Sequence, residues 1–97
     1  MELKDTIEMM NSGNYEDRFK AEYYQLKIRT DRLKNILDEW ENGRLHFVPT
    51  CQKETLSEQL RIMTAYMAIL ESRAGQEEIS LLDESNLSWK LEKGDAE

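Results

Sequence analysis

Apolar residues recur at alternating spacings of four and three along two stretches of the chain. In the first stretch the repeating positions are Phe19, Tyr23, Leu26, Thr30, Leu33, Leu37 and Trp40, and in the second they are Leu56, Leu60, Met63, Met67, Leu70 and Ala74. This spacing is the heptad pattern of helices that pack along their length. It predicts an all-α protein, an antiparallel two-helix hairpin over about residues 15–41 and 51–78 that assembles into an oligomeric helical bundle.

Thr30 is the one polar residue in the first stretch, and two interpretations of it stay open. Its hydroxyl can bond to a backbone carbonyl one turn earlier in its own helix. Alternatively, it can fix the register of the two helices by bonding to a polar group of the facing helix.

Polar residues and glycine mark the ends of the predicted helices. Asn14 is a favourable N-cap for the first helix, and Gly43 suits the left-handed conformation at its end. Thr50 is the expected N-cap of the second helix. Between the helices, the apolar Phe47 and Val48 are expected to fold over the open end of the hairpin.

Two segments flank the hairpin. Residues 1–14 form a short N-terminal segment that can become an amphipathic helix with Leu3, Ile7 and Met10 on one side. Residues 79–97 form an acidic tail in which Ser, Asp, Glu and Gly dominate, so the tail is predicted to be mostly flexible.

A second apolar stripe runs beside the heptad positions of the second helix, and it consists of Ile62, Tyr66 and Ile69. One partner helix cannot cover both stripes, and a lone hairpin of this size buries little surface. The second stripe therefore predicts an oligomer interface, in a homodimer that forms an antiparallel four-helix bundle or in a higher assembly of such dimers.

The negative charge of the chain lies at its ends. The formal net charge is −7, yet residues 15–75 hold ten basic and ten acidic side chains. Without a basic excess the protein is not expected to bind DNA, and the acidic tail disfavours an anionic membrane. The absence of a signal peptide or a long apolar run predicts a cytoplasmic protein.

Nothing in the sequence indicates catalysis or a cofactor. No phosphate-binding glycine loop, zinc-protease motif or nucleophile elbow is present. Cys51 is the only cysteine and His46 the only histidine, which excludes an intrachain disulfide and the usual zinc sites. We predict a protein that is not an enzyme and that holds neither a metal nor a cofactor.

The candidate ligand-binding residues are arginines and tyrosines. Arg29 and Arg32 are three residues apart on one face of the first helix. Arg73 can approach them from the second helix or from another subunit. Guanidinium groups bind phosphates and aromatic rings stack on bases, so these arginines together with Tyr24 and Tyr66 form a candidate nucleotide site. The alternative is that the arginines form ordinary surface ion pairs.

Several phrases of the sequence resemble a family of small proteins encoded by bacteriophages and prophages, many labelled only by kinship to a gut crAss-like phage reading frame. These phrases are Tyr15 to Tyr23, Gln25 to Arg29 with Arg32-Leu33, Gln59-Leu60 with Met63, Tyr66-Met67, Ile69 to Glu71 and Arg73-Ala74. The resemblance covers about residues 15–79. It implies a phage origin and a helical hairpin, and it brings no assigned site residue.

Two hypotheses of function follow. By analogy with the sponges that phages direct against Thoeris defence, the protein antagonises host antiviral defence by sequestering a cyclic or ADP-ribose-derived nucleotide at a subunit interface. The alternative is a helical interaction module that binds a host defence protein or a phage protein. In that case Leu81, Leu82, Leu87 and Trp89 of the tail would anchor the partner.

Overall fold

The computed structural model describes residues 1–81. These residues form a 3-10 turn, Leu3–Thr6, followed by the short helix α1, Ile7–Met10, and by two long helices, α2, Tyr15–Glu41, and α3, Lys53–Glu77. Residues 1–81 contain no strand, and α2 and α3 pack side by side. The all-α prediction with two long packed helices is thus confirmed. Of the predicted tail, Ile79 is buried and Leu81, a predicted partner anchor, packs against the core. The predicted flexibility of residues 82–97, and the anchors Leu82, Leu87 and Trp89, lie outside the described residues.

The helix ends follow local rules, with one exception. Asn14 caps α2, because its side-chain oxygen accepts hydrogen bonds from the backbone N–H of Glu16 at 2.7 Å and of Asp17 at 3.4 Å. Gly43 has a φ of 70°, as expected for a residue just past a helix end. The expectation that Thr50 caps α3 is wrong, since the N-cap is Gln52, whose side chain makes no capping bond.

The two heptad stripes face each other and form the core. Leu70 is fully buried and Phe19 nearly so, and every other member of both stripes is buried or half-buried. The Thr30 hydroxyl donates to the carbonyl of Leu26 at 2.6 Å, so its bond stays within its own helix. Thr30 is therefore satisfied without a partner on α3, which agrees with the first interpretation.

The N-terminal segment packs on α2 and does not reach α3. It buries Leu3 partly, Thr6 fully and Met9 partly, whereas Ile7 is 55% and Met10 48% exposed. Of Leu3, Ile7 and Met10, which were predicted to share one side of an amphipathic helix, only Leu3 is thus turned inward. The reason is that the segment begins as a 3-10 turn with three residues per turn, which places every third residue on one side.

The connection between α2 and α3 leaves its apolar residues exposed. Phe47 is 55% and Val48 90% exposed, so the expectation that they fold over the open end of the hairpin is wrong. The Lys53 ammonium lies 5.9 Å from the centre of the Trp40 ring and pairs with Glu41. Phe47 and Val48 instead line an open pocket at this end, together with Trp40, Leu45 and Pro49.

Among the helices of residues 1–81, none is both long and apolar enough to cross a membrane.

Candidate functional site

The hairpin has two broad faces of different chemistry. One carries ion pairs between neighbours on the same helix, such as Lys20 with Glu16 at 3.3 Å and Lys27 with Asp31 at 3.1 Å. We call the opposite side the tyrosine–arginine face; it comprises Tyr15, Glu22, Arg29, Ile36, Gln59, Ile62, Tyr66, Ile69 and Arg73. The tyrosine–arginine face carries one such pair, Arg73 with Glu77 at 3.4 Å, and leaves Arg29 without an ion pair among residues 1–81, so we take it as the candidate functional surface.

Helix periodicity and cross-helix hydrogen bonds define this face. On α2 its members are seven residues apart and therefore lie in one row, two turns from each other. On α3 two adjacent rows contribute. The Tyr66 hydroxyl bonds to Glu22, and the Arg73 guanidinium bonds to Tyr15, so the rows of both helices lie on the same side of the hairpin.

Arg73 is held in place by residues of both helices. Its Nη2 donates to the Tyr15 hydroxyl at 2.9 Å and its Nε to Glu77 at 3.4 Å, while its guanidinium lies 5.0 Å from the centre of the Phe19 ring. The Tyr15 hydroxyl in turn donates to Glu77 at 2.7 Å. The bond with Tyr15, and then Glu77, raise the pKa of Arg73. Its Nη1 makes no hydrogen bond with any residue from 1 to 81 and can donate to a ligand.

Tyr66 is 41% exposed, and its hydroxyl donates to the Glu22 carboxylate. This bond is the main reason why the pKa of Tyr66 is raised above its ordinary value. The bond orients the phenol ring on the tyrosine–arginine face and leaves one of its sides open to solvent.

Replacing Glu22 with glutamine is expected to lower the pKa of Tyr66 toward that of a free tyrosine. A neutral amide no longer disfavours the phenolate. In the parent protein, the contribution of this bond to stability is present below the ordinary tyrosine pKa and is lost as the pH rises through the raised value. Ultraviolet titration of the phenols in Glu22→Gln and in the parent measures the shift, and superimposable titration curves would contradict the assignment.

Arg29 and Arg32 are exposed on α2. Among residues 1–81, neither makes an ion pair or a side-chain hydrogen bond. Ordinary ion pairing therefore describes Arg73 with Glu77 but not these two arginines. Their charge is not neutralised by any residue from 1 to 81; Arg29 lies on the tyrosine–arginine face and Arg32 at its edge.

Tyr24 lies elsewhere. It is 8% exposed and belongs to the buried cluster with Phe19 and Leu70, against which Met9 also packs. Tyr24 was chosen as a ligand-binding residue, but it is buried in a cluster that includes Ile79 and against which Met9 and Leu81 pack. Its ring therefore has no exposed side on which a base could stack.

Within one chain, the arginines of the two helices do not converge. Cross-helix bonds pair Tyr15 with Glu77 and Tyr23 with Glu71, which sets Arg73 level with about residue 20 of α2. Arg29 is about nine residues further along, or ~14 Å at 1.5 Å per residue. Tyr66, in contrast, lies between the levels of Glu22 and Arg29. One chain thus places Tyr66 beside Arg29 and leaves Arg73 apart.

Sequence reasoning missed three members of the site. Tyr15, Glu22 and Glu77 position Arg73 and Tyr66 through hydrogen bonds between helices. The seven-residue spacing of Tyr15, Glu22 and Arg29 was the available signal, since it places them in one row. Within residues 1–81, no group of three or more His, Cys, Asp or Glu side chains is arranged to hold a metal ion.

Comparison with known proteins identifies one family. The family model described as Sequestin matches residues 13–76, which contain α2, the connection and nearly all of α3. No curated protein and no solved structure matches the chain. Since the match spans well over half of its 97 residues, the chain belongs to the Sequestin family.

Proposed function

We propose that this protein is a non-enzymatic binder that sequesters a small signalling molecule, and that the molecule is a nucleotide immune signal held at a subunit interface. One observation carries the proposal: Arg29, Arg73 and Tyr66 share one face of a hairpin whose other face is occupied by ion pairs. The family name Sequestin supports sequestration as the activity.

The chemistry of the face suits a nucleotide. Unneutralised guanidinium groups at Arg29 and Arg32 attract phosphate oxygens and bind them with paired N–H donors. The half-exposed ring of Tyr66 offers a surface for a base, and Glu22 fixes its orientation. In a chain with a net charge of −7, this local positive surface favours a small anion over a long nucleic acid.

Oligomerisation belongs to the same proposal. Ile62, Tyr66 and Ile69 are 53%, 41% and 58% exposed, and they form a continuous stripe of large apolar side chains on α3. A stripe of this kind on a small hairpin is stabilised when a second copy covers it. A ligand bound at its edge would contact both subunits.

A phage source and a bacterial host cell complete the proposed setting. A sequestering protein that binds a defence nucleotide without altering it would lower the free concentration of the signal by mass action alone. Such a protein needs no catalytic group, only sufficient affinity and abundance.

Removing either arginine is expected to weaken nucleotide binding by about 10- to 100-fold, because each supplies charge-assisted hydrogen bonds to phosphate. The measurement is a thermal-shift screen of cyclic and ADP-ribose-derived nucleotides, followed by calorimetry with Arg29→Ala and Arg73→Ala. Arg61→Ala is the matched control, since Arg61 is exposed on the other side of α3 and pairs with Glu58 at 2.6 Å.

Two results would contradict the proposal. One is a folded oligomer whose melting temperature no nucleotide changes. The other is an equal loss of affinity in Arg61→Ala and in the two test variants. The rival function, an interaction module for a host or phage protein, is favoured by the exposed Phe47 and Val48 and gains support if nucleotides have no effect.

A further inference from the structure

We propose that each binding site is composite, with Arg29 and Arg32 of one subunit and Arg73 of a second copy holding one ligand that carries two phosphate groups. This inference rests on the proposed function and adds which subunit supplies which arginine. Its starting point is that Arg73 and Arg29 are about 14 Å apart along the axis of one hairpin.

The anchoring of Arg73 keeps it away from Arg29 of its own chain. Its guanidinium is bonded to Tyr15 and lies against Phe19, both of which are nearer than Arg73 to the beginning of α2. Movement toward Arg29 would break these contacts. A ligand that bridges two arginines must therefore take the second one from elsewhere.

The position of the apolar stripe selects one arrangement of two copies. A two-fold axis parallel to the helices would set α3 on the partner's α2 and would cover Ile62 and Ile69 with the charged row of Glu22 and Arg29. Burying those charges beneath aliphatic side chains is costly. An axis perpendicular to the helices sets α3 antiparallel on the partner's α3. The apolar stripes of the two copies then cover each other, and Tyr66 lies close to the axis.

This arrangement also pairs opposite charges. With the axis near Tyr66, Glu22 lies opposite the partner's Arg32, about level with it along the bundle. Because the interface is isologous, each such pair occurs twice. The apolar stripe and the charge pairs thus both indicate that a second copy of this chain binds to the tyrosine–arginine face.

The same axis moves the arginines together. The partner's Arg73 comes to lie about five residues beyond Arg29, or ~8 Å along the helix, and ~3 Å from the level of Arg32. Arg29 and the partner's Arg73 both project into the interface from opposite layers. The partner's Arg73 is carried by the partner's α3, so it also lies one interhelical distance, ~8 to 10 Å, to the side of α2. Guanidinium groups on the two sides of this gap suit a ligand with two phosphates, and symmetry gives two such sites per dimer.

Mixing two defective variants tests the assignment. The probes are cyclic di-AMP and ADP-ribose, each of which carries two phosphate groups. Arg29→Ala and Arg73→Ala homodimers are expected to bind the responsive probe at least about tenfold more weakly than the parent. A heterodimer of the two, purified through two different tags, retains one intact composite site, so it is expected to bind one probe per dimer at the affinity of the parent.

A heterodimer without any site of parental affinity would overturn the proposal, because that result means that one chain supplies both arginines. If the parent binds neither probe, the choice of ligand fails, and the arrangement of subunits is then decided without a ligand, by cysteine cross-linking.

In a Cys51→Ser background, Tyr66→Cys is expected to form disulfide-linked dimers on mild oxidation, because the residue lies near the two-fold axis and meets itself. Arg73→Cys is expected not to, since its two copies lie far apart on either side of the axis. Ala68→Cys, exposed on the other side of α3, is the matched control. Cross-linking at Arg73→Cys, no cross-linking at Tyr66→Cys, or a monomeric parent would each overturn the arrangement.

Discussion

Truncating Leu70 to alanine is expected to lower the free energy of unfolding by about 3 kcal/mol, within the range of roughly 2 to 5 kcal/mol found for buried leucines. Leu70 is fully buried and belongs to the cluster that joins α3 to Phe19 and Tyr23 of α2. Its removal leaves a cavity between the two long helices, which are the bulk of the fold. Because small domains are stable by only about 5 to 15 kcal/mol, the loss is a large part of the total.

Urea unfolding followed by circular dichroism measures the change, at a fixed protein concentration. Val48→Ala is the control, since Val48 is 90% exposed and its truncation is expected to alter stability by less than ~0.5 kcal/mol. A loss below about 1 kcal/mol in Leu70→Ala would mean that the helices do not pack in solution as described here.

Replacing Ile69 with aspartate is expected to dissociate the oligomer while the hairpin stays folded. Ile69 precedes Leu70 in the chain but is 58% exposed, so aspartate there remains hydrated in the free subunit. In the proposed interface, Ile69 lies against the partner's Ile62. An unpaired carboxylate buried there costs several kcal/mol, comparable to the net stability of many small interfaces.

The measurements are light scattering for mass and circular dichroism for helix content. The mass of Ile69→Asp is expected to fall to that of one 11.5 kDa chain, with the helical spectrum retained. Ala68→Asp is the matched control, because Ala68 is exposed on the other side of α3 and its substitution leaves the stripe intact. Equal dissociation of both variants would show that this face is not the interface, and a monomeric parent protein would contradict the proposed dimer altogether.

The heptad spacing was sufficient to predict the long helices and their inward faces. The heptad positions of α3, from Leu56 to Ala74, point toward α2, because their spacing places them all on one side of a helix. Asn14 and Gly43 act at the helix ends as their local chemistry requires. In each case the interaction that decides the conformation joins residues only a few positions apart, so it can be predicted from the sequence.

Two of the errors, at Tyr24 and at Phe47 with Val48, occurred where another segment competes for a surface. Tyr24 lies outside the heptad stripe and was chosen as a ligand-binding residue, yet it is buried in a cluster that residues from both ends of the described chain, Met9 and Ile79, help to form. Phe47 and Val48 were expected to cover the open end, where Lys53 packs on Trp40 instead. The periodicity of the sequence predicts neither result, because each depends on the path that a connecting segment takes and not on the spacing of residues within a helix.

For the candidate site too, the sequence predicted the types of residue but not their contacts. Arg29, Arg32, Arg73 and Tyr66 were chosen from residue type and position, and their binding role stays a prediction. The residue types alone do not predict the hydrogen bonds of Arg73 with Tyr15 and Glu77, or the bond of Tyr66 with Glu22. These bonds fix the guanidinium of Arg73, whereas Arg29 and Arg32 on α2 have no such bond with any of residues 1–81.

The sequence by itself determined that this protein is helical, that two long helices pack along one seam, and which side chains form that seam, because helix periodicity is a local property. Only the tertiary structure decided which surface stays open. Within residues 1–81, the N-terminal segment covers the back of α2, ion pairs occupy one face of the hairpin, and the tyrosine–arginine face stays exposed. That outcome follows from the alignment of α2 with α3, which residue spacing within each helix does not specify.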